Sequence, residues 1–297
     1  MQQATFLQTD TPAFADTVVN VASVPQRSPF RYPGGKTWLV PRIRQWLGGK
    51  TAKPVEFVEP FAGGGIVSLT VAFDELADRI TMVELDEQVA AVWSTILQGE
   101  AARLAEQIAN FVVTPASVAT VLSQQCATPF EKAFRTIVKN RVNRGGILAP
   151  GAGLVKYGEN GKGLASRWYP ATLRKRILDI VTVRDRISFI EGDGLEVVRQ
   201  HINRADVCFF IDPPYTVAGK KAGSRLYTHS SLNHDELFRV ASVVAGDFLM
   251  TYDNTPEIEE LAEWYGLDTA PIAMKNTHHA YMTELLIGRD LDWIRKS

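Results

Sequence analysis

The feature that most constrains the fold is a strand, a glycine-rich turn, a helix and a second strand that follow one another along the chain. Residues 55–59 form an apolar run that predicts a strand, and residues 60–65 predict a turn with three glycines. Residues 66–77 have the pattern of a helix, and residues 80–84 that of the next strand. Consecutive strands joined by a helix run parallel, and a parallel sheet needs helices on both faces. The chain is therefore predicted to have an α/β fold.

The same alternation resumes near residue 187. The further predicted strands are 187–190, 207–211, 248–252, 268–274 and 281–287, and the further predicted helices are 88–97, one that ends near residue 201, 234–245 and 256–265. Residues 100–182 instead carry helical periodicity broken by a glycine-rich, basic stretch. We predict a doubly wound, Rossmann-like sheet formed by residues 28–99 and 183–297, an inserted helical subdomain at 100–182, and a flexible lead-in at 1–27.

Charge is distributed unevenly along the chain. The net charge is −1, but residues 132–186 contain 13 Lys and Arg against three acidic residues. A basic segment within an otherwise acidic protein is typical of a surface that binds a polyanion. A solvated helix face is the alternative, because charge runs are common on protein surfaces.

Cysteine content and hydropathy indicate the cellular location of the protein. Cys126 and Cys208 have no second Cys or His at metal-ligand spacing, which argues against a zinc site and against a disulfide framework. No apolar run approaches the roughly 20 residues of a membrane helix. The first 24 residues contain no Lys or Arg to begin a secretory signal. We expect a cytoplasmic protein without a metal and without a membrane partner.

The strongest chemical motif follows a predicted buried strand. Residues 207–211 run directly into Asp212, Pro213, Pro214 and Tyr215. Proline explains the end of the strand, but it does not explain the acid and the aromatic residue together. The prolines fix the backbone, so the Asp212 carboxylate and the Pro213 carbonyl can accept from one amino group, and Tyr215 offers a flat face for stacking. This arrangement suits a planar base whose amine must be made nucleophilic, and such a base has to leave a duplex to reach it.

A second candidate site is the glycine turn after the first strand. Residues 63–65 are glycines at a predicted helix start, where the backbone can approach a ligand closely, although a plain tight turn is the alternative. Glu84 and Asp86 follow about 20 residues later, where a carboxylate commonly binds ribose hydroxyls. The combination favours a nucleoside site. The segments around Gly35 and Lys50 lack the first glycine of a phosphate loop, and G-x-G-x-x-G is missing, which argues against an NTPase and a nicotinamide-dependent oxidoreductase.

Three motifs in order make the chain resemble the Dam-like (class alpha) DNA adenine N6-methyltransferases, a family with restriction-modification and phage members. The motifs are Tyr-Pro-Gly-Gly-Lys at residues 32–36, Glu-Pro-Phe-Ala-Gly-Gly-Gly at 59–65 and Asp-Pro-Pro-Tyr at 212–215. The resemblance covers residues 30–287. It implies direct transfer of a methyl group from S-adenosylmethionine to the N6 amine of an adenine flipped out of double-stranded DNA, without a metal or a covalent intermediate.

The resemblance also implies roles for individual residues. The implied catalytic residues are Asp212, Pro213, Pro214 and Tyr215. The implied residues that bind S-adenosylmethionine are Tyr32, Lys36, Glu59, Phe61, Gly63, Gly65, Glu84, Asp193 and Asp212. Lys36 is expected to pair with the methionine carboxylate of the cofactor. Glu84 or Asp86 is expected to bind the ribose, and Asp193 to lie near the adenine ring.

The insert matches the region that members of this family use for target recognition. The implied DNA-binding residues are Arg141, Asn143, Arg144 and Arg167. Trp168 and Tyr169, next to the last of these, are candidates either for DNA contact or for the core. The expected partners are double-stranded DNA and, acting separately, a cognate restriction endonuclease, and we expect a monomer.

Other functions stay open on the sequence alone. The nearest is methylation of cytosine N4, because that amine has the same chemistry, although the motif order and residues 32–36 favour adenine. Methylation of RNA or of a protein glutamine is a further alternative, since RNA is also a polyanion. A catalytically silent DNA-binding regulator would carry a broken motif at residues 212–215, and that motif is intact.

Overall fold

The computed structural model describes residues 19–158, 161–214, 232–275 and 281–295. Its centre is a seven-stranded sheet. The strands are β1 Glu56–Glu59, β2 Arg79–Glu84, β3 Ile187–Glu191, β4 Val207–Ile211, β5 Asp247–Asp253, β6 Asp268–Lys275 and β7 Tyr281–Gly288. The helices are α1 Val40–Gly48, α2 Ile66–Phe73, α3 Glu87–Thr95, α4 Ala101–Asn110, α5 Pro115–Ser123, α6 Pro129–Val142, α7 Pro170–Val181, α8 Gly194–Gln200, α9 His234–Val243, α10 Pro256–Trp264 and α11 Asp292–Arg295. In these ranges, no helix is long and apolar enough to cross a membrane.

The sheet is doubly wound, with the strand order β3-β2-β1-β4-β5-β7-β6. β1 pairs in parallel with β2 on one side and with β4 on the other, and β3 and β5 extend this parallel sheet outward. β7 is antiparallel to both β5 and β6. The strand order therefore reverses between β1 and β4, and ligands of such sheets bind beyond the carboxyl ends of the strands at this point. The predicted α/β, Rossmann-like fold is confirmed.

The strands bury side chains on both faces of the sheet. Phe57 belongs to the apolar cluster on one face and Val58 to the cluster on the other. The insert helices α4, α6 and α7 contribute Leu104, Ile137 and Ile177 to the same cluster as Phe57. The insert therefore shares its core with the sheet.

The predicted strands are all present, with bounds that differ from the prediction by at most one residue. The helix predicted at 66–77 ends earlier, at Phe73, because Glu75 adopts a left-handed conformation with a φ of 54°. α1 is an additional helix that the sequence analysis does not predict. It begins with Pro41 in its first turn and buries one face, formed by Val40, Ile43, Trp46 and Leu47.

The end of the predicted lead-in packs against the sheet domain. Residues 1–18 lie outside the described residues. Val24 is buried in the cluster that contains Phe57. The Arg27 guanidinium lies 3.9 Å from the centroid of the Phe73 ring, and it pairs with Asp74 at 3.3 Å. Residues 24–27 are thus fixed by packing and by charge.

Candidate functional site

A cavity of about 520 Å³ opens at the carboxyl ends of β1, β2 and β4, and all three sequence motifs line it. The predicted cofactor-binding residues in its wall are Tyr32, Lys36, Glu59, Phe61, Gly63, Gly65, Glu84, Asp193 and Asp212. Pro214 also lines the cavity, Pro213 is buried, and Tyr215 lies outside the described residues. Small-molecule sites typically measure about 300–1,000 Å³, so the cavity has the size of one.

The glycine turn and the first motif pack directly against each other. Gly63 and Gly65 have φ angles of 47° and 63°, in the left-handed region that favours glycine. A Cβ atom on Gly63 would lie 2.6 Å from the Tyr32 ring, and a Cβ atom on Gly64 would lie 2.8 Å from Tyr32 Cβ. The Trp93 indole N–H donates to the Gly63 carbonyl at 2.9 Å. The backbone of this turn is therefore fixed on both sides, and Tyr32 forms a wall beside it.

Two buried glutamates hold the glycine turn and the start of α2. Glu59 accepts a hydrogen bond from the Ser68 backbone N–H at 2.9 Å. Glu84 accepts from the backbone N–H groups of Gly63 and Asp86, both at 2.8 Å. Burial raises the pKa of Glu59 to about 8 and that of Glu84 to about 7, although these hydrogen bonds act to lower both values. Each carboxylate oxygen keeps a second lone pair, so Glu84 can still accept from a hydroxyl in the cavity.

Two further acids in the cavity wall, Asp86 and Asp193, begin helices. Asp86 accepts from the Gln88 N–H at the start of α3, and Asp193 accepts from the Leu195 N–H at the start of α8, each at 2.8 Å. Capping occupies one oxygen of each carboxylate. The choice between Glu84 and Asp86 for the ribose stays a prediction, because both side chains line the cavity.

Asp212, at the end of β4, is held by a lysine and a threonine. Its Oδ1 atom accepts from the Thr251 hydroxyl at 2.7 Å and lies 3.0 Å from Lys36 Nζ. Lys36 is only 2 % exposed, donates to the Gly34 carbonyl at 3.0 Å, and lies 3.4 Å from Glu284 Oε2. Lys36 therefore connects the first and third motifs. Its predicted pairing with the methionine carboxylate stays a prediction, and the ammonium already faces two protein carboxylates.

Thr251 and Glu284 belong to the site but to none of the three sequence motifs. Thr251 lies on β5 and Glu284 on the neighbouring strand β7, and the side chain of Glu284 is largely buried. Burial raises the pKa of Glu284 to about 7, against the attraction of Lys36. The one sequence feature that marks Glu284 is that it is a single acid within the apolar strand β7. Its partner, Lys36, is remote in sequence.

The four predicted DNA-binding residues occupy different environments. Arg141 is 4 % exposed, lines the cavity and donates to the Pro29 carbonyl. Asn143 is buried and donates to the Ile147 carbonyl at 2.7 Å, so it supports the turn after α6. Arg144 is exposed, and Arg167 is half-buried in the cavity wall. Contact with DNA stays a prediction for all four.

The two aromatic residues after Arg167 also differ in exposure. Trp168 is buried and packs on Phe111, with the ring centroids 5.5 Å apart. Tyr169 is 46 % exposed and lines the cavity. The core alternative therefore holds for Trp168, whereas Tyr169 offers an accessible aromatic ring.

Residues 32–97 match the family model of the D12 class N6 adenine-specific DNA methyltransferases. The match includes the first two motifs and the strand that ends at Glu84. It confirms the predicted resemblance and identifies the chain as a methyltransferase with S-adenosylmethionine as its cofactor. No curated protein matches the chain.

Several solved structures are similar to this chain at low sequence identity. An rRNA methyltransferase from Streptomyces viridochromogenes is 13% identical, with a TM-score of 0.39 over 90% of this chain and 89% of that one. A methyltransferase from Geobacter sulfurreducens is 11% identical, with a TM-score of 0.38 over 87% and 80%. A precorrin 8w decarboxylase from Methanobacterium thermoautotrophicum is 12% identical, with a TM-score of 0.37 over 88% and 94%. Similarity at this level does not identify a methyl acceptor.

Proposed function

We propose that this protein transfers a methyl group from S-adenosylmethionine to the N6 amine of an adenine that has been flipped out of double-stranded DNA. The observation that carries the proposal is the position of Asp212. This acid of the Asp-Pro-Pro motif lies in the same cavity as the glycine turn, and a buried lysine and a threonine fix its carboxylate. An acceptor for an amino group and a nucleoside site thus lie side by side.

The residues of the cavity fit the cofactor. When bound, S-adenosylmethionine supplies an electrophilic methyl group on a positively charged sulfonium. The glycine turn lines the cavity, and Glu84 lies beside it as an acceptor for ribose hydroxyls. Asp212 adds a negative charge that favours a cationic ligand. Tyr32, Phe61 and the glycine turn would hold the cofactor from the sheet side.

Asp212 would orient and polarise the target amine. The lone pair of an aromatic amine is delocalised into the ring, and an acceptor placed at its N–H favours the electron-rich form that can attack a methyl group. Thr251 and Lys36 hold the carboxylate before substrate arrives, so it needs no reorganisation during the reaction. Pro213 and Pro214 fix the backbone that follows. The proton leaves after transfer, when the amine has become cationic and acidic.

DNA is the favoured acceptor because of charge and because of the family match. The excess of positive charge in residues 132–186 suits a polyanion. The family model that matches residues 32–97 is named for adenine in DNA. A base must leave the helix to enter a cavity of this kind, and a base outside the helix can stack on an aromatic side chain such as Tyr169.

The test is product analysis with purified protein, S-adenosylmethionine and double-stranded DNA of mixed sequence. After digestion to nucleosides, mass spectrometry should find N6-methyladenine. Asp212→Ala should lower the yield of this product by about a hundred- to a thousandfold. Asp206→Ala, at the opposite end of β4, should leave the yield unchanged, because Asp206 pairs with Arg204 and lies outside the cavity wall. N4-methylcytosine as the product, or methylation of RNA in place of DNA, would refute the proposed acceptor.

A further inference from the structure

Four arginines meet at the end of the cavity that the insert forms. They are Arg31, Arg141, Arg167 and Arg176, and all four line the wall. Arg141 lies near the end of α6 and Arg176 in the middle of α7. Within the described ranges, neither Arg141 nor Arg176 forms an ion pair with a carboxylate. Their hydrogen bonds to the protein go to carbonyl groups, Arg141 to Pro29 and Arg176 to Ser28.

The charge of Arg141 is poorly compensated. Its side chain is almost completely buried, and its Nε atom has no hydrogen-bond partner among the residues that the structure describes. Burial, followed by repulsion from Arg176, Arg31 and Arg167, lowers the pKa of Arg141 to about 9. A buried cation normally requires a partner of opposite charge. The arrangement therefore favours an anion in the cavity.

The arginines lie next to the glycine turn. Arg176 donates to the Ser28 carbonyl at 2.9 Å, and the hydroxyl of the same serine donates to the Gly64 carbonyl at 2.5 Å. Arg141 donates to the next carbonyl, that of Pro29. Two residues of one segment thus separate the guanidinium groups from the turn that would hold the methionine end of the cofactor.

We propose that Arg141 and Arg176 bind the methionine carboxylate of S-adenosylmethionine, the role that the sequence analysis gives to Lys36. The inference rests on the proposed function for the identity of the cofactor. Lys36 instead forms ion pairs with Asp212 and Glu284, whose carboxylates lie next to its ammonium group. The depth of Arg141 favours a ligand that lies wholly inside the cavity over a DNA phosphate, which stays with the backbone at the surface.

The experiment compares two ligands that differ by one carboxylate. Calorimetry measures binding of S-adenosylhomocysteine and of its decarboxylated analogue to the wild type, to Arg176→Gln and to Arg174→Gln. Arg174 is the matched control because it lies on the same helix, pairs with Glu106 at 2.8 Å and is not part of the cavity wall. Glutamine at position 176 keeps a donor for Ser28.

We expect Arg176→Gln to weaken binding of S-adenosylhomocysteine by about ten- to a hundredfold, the range for one charge-assisted hydrogen bond. Binding of the decarboxylated analogue should not change, and Arg174→Gln should bind both ligands like the wild type. The wild type itself should prefer the carboxylated ligand, and that comparison needs no variant.

Two results would overturn the inference. One is an equal effect of Arg176→Gln on both ligands, including no effect on either. The other is a wild type that binds both ligands equally, together with a loss of duplex DNA affinity in Arg176→Gln by fluorescence anisotropy, which would assign the arginines to a phosphate. Failure of the wild type to bind S-adenosylhomocysteine at all is a different result, because it would refute the proposed function.

Discussion

The two ends of the cavity stabilise buried ionisable groups in opposite ways. At the sheet end, Glu59 and Glu84 accept from backbone N–H groups, and Asp212 has a lysine and a threonine. At the insert end, Arg141 and Arg176 have backbone carbonyls and no carboxylate partner in the part of the chain that the structure describes. Ionisable groups that the protein itself satisfies can position a reaction, whereas a cation without a carboxylate partner indicates where a ligand supplies one.

The largest expected effect belongs to the sheet end. Asp212→Ala removes the acceptor for the target amine, so the rate of methyl transfer to DNA should fall by about a hundred- to a thousandfold. Single-turnover kinetics with labelled cofactor measures this loss. Because the arginine end is untouched, binding of S-adenosylhomocysteine should change far less. A folded Asp212→Ala protein with near-normal turnover would contradict the assigned role.

The second prediction concerns pH and the cost of the buried acids. The pKa values of about 8 for Glu59 and about 7 for Glu84 lie above the ordinary value of 4.5. The unfolded chain therefore releases these protons at lower pH than the folded protein does. The free energy of unfolding should fall as pH rises from 4.5 toward 8, with a slope of up to about 1.4 kcal/mol per pH unit for each group.

Urea unfolding at several pH values tests this dependence. Glu59→Gln should flatten the slope in the upper part of the window, because it removes the group with the higher pKa. A Glu59→Gln protein whose stability keeps the wild-type pH dependence would show that Glu59 is ionised in the folded state. The sheet end would then contain a buried charge that the protein itself satisfies, and its contrast with Arg141 would become sharper.

The third prediction concerns the insert end of the cavity. Most substitutions of buried residues lower the free energy of unfolding, whereas this one should raise it. Arg141→Met replaces a poorly compensated buried charge with an apolar side chain of similar length. Without ligand, the free energy of unfolding should rise by about 1 kcal/mol, at the low end of the gains seen when buried ions are replaced. Thermal unfolding should show a higher midpoint for the free variant and a smaller upward shift with S-adenosylhomocysteine. A clear loss of stability would mean that the protein itself satisfies Arg141.

The smallest expected effect tests the support of Asp212. Thr251→Val removes one donor to its carboxylate and keeps the shape of the side chain. The rate of the chemical step should fall about two- to tenfold, because one hydrogen bond contributes about 0.5–1.5 kcal/mol. The dissociation constant of the cofactor should stay constant, and Thr251→Ser should restore the rate. A change in cofactor affinity without a change in rate would assign Thr251 to binding.

Sequence reasoning predicts most of the fold because its strongest signals are local. The strands are short apolar runs that end at acids or turns, and glycine marks the turn after β1, so their bounds follow from the chain itself. The site is predicted as far as the motifs extend. It could not include Glu284, because only the three-dimensional contact with Lys36 distinguishes this acid from one that faces solvent.

The arginines show a second limit of the same kind. Charge density marks residues 132–186 as basic, but it does not indicate which guanidinium groups point inward. Arg141 and Arg144 are three positions apart in sequence, yet Arg141 is buried in the cavity wall and Arg144 is exposed. The orientation depends on how α6 packs against the sheet domain, and that packing is a property of the whole fold.

The shared core of the insert limits how far residues 100–182 can diverge among proteins of this fold. Leu104, Ile137 and Ile177 pack in one cluster with the sheet residue Phe57, so replacing the helices that carry them would disturb the cofactor site as well. Grafting residues 100–182 as a module between relatives should therefore yield chimaeras that fold poorly. The segment between α6 and α7 contributes less to this cluster, so its sequence can change without rebuilding the sheet domain.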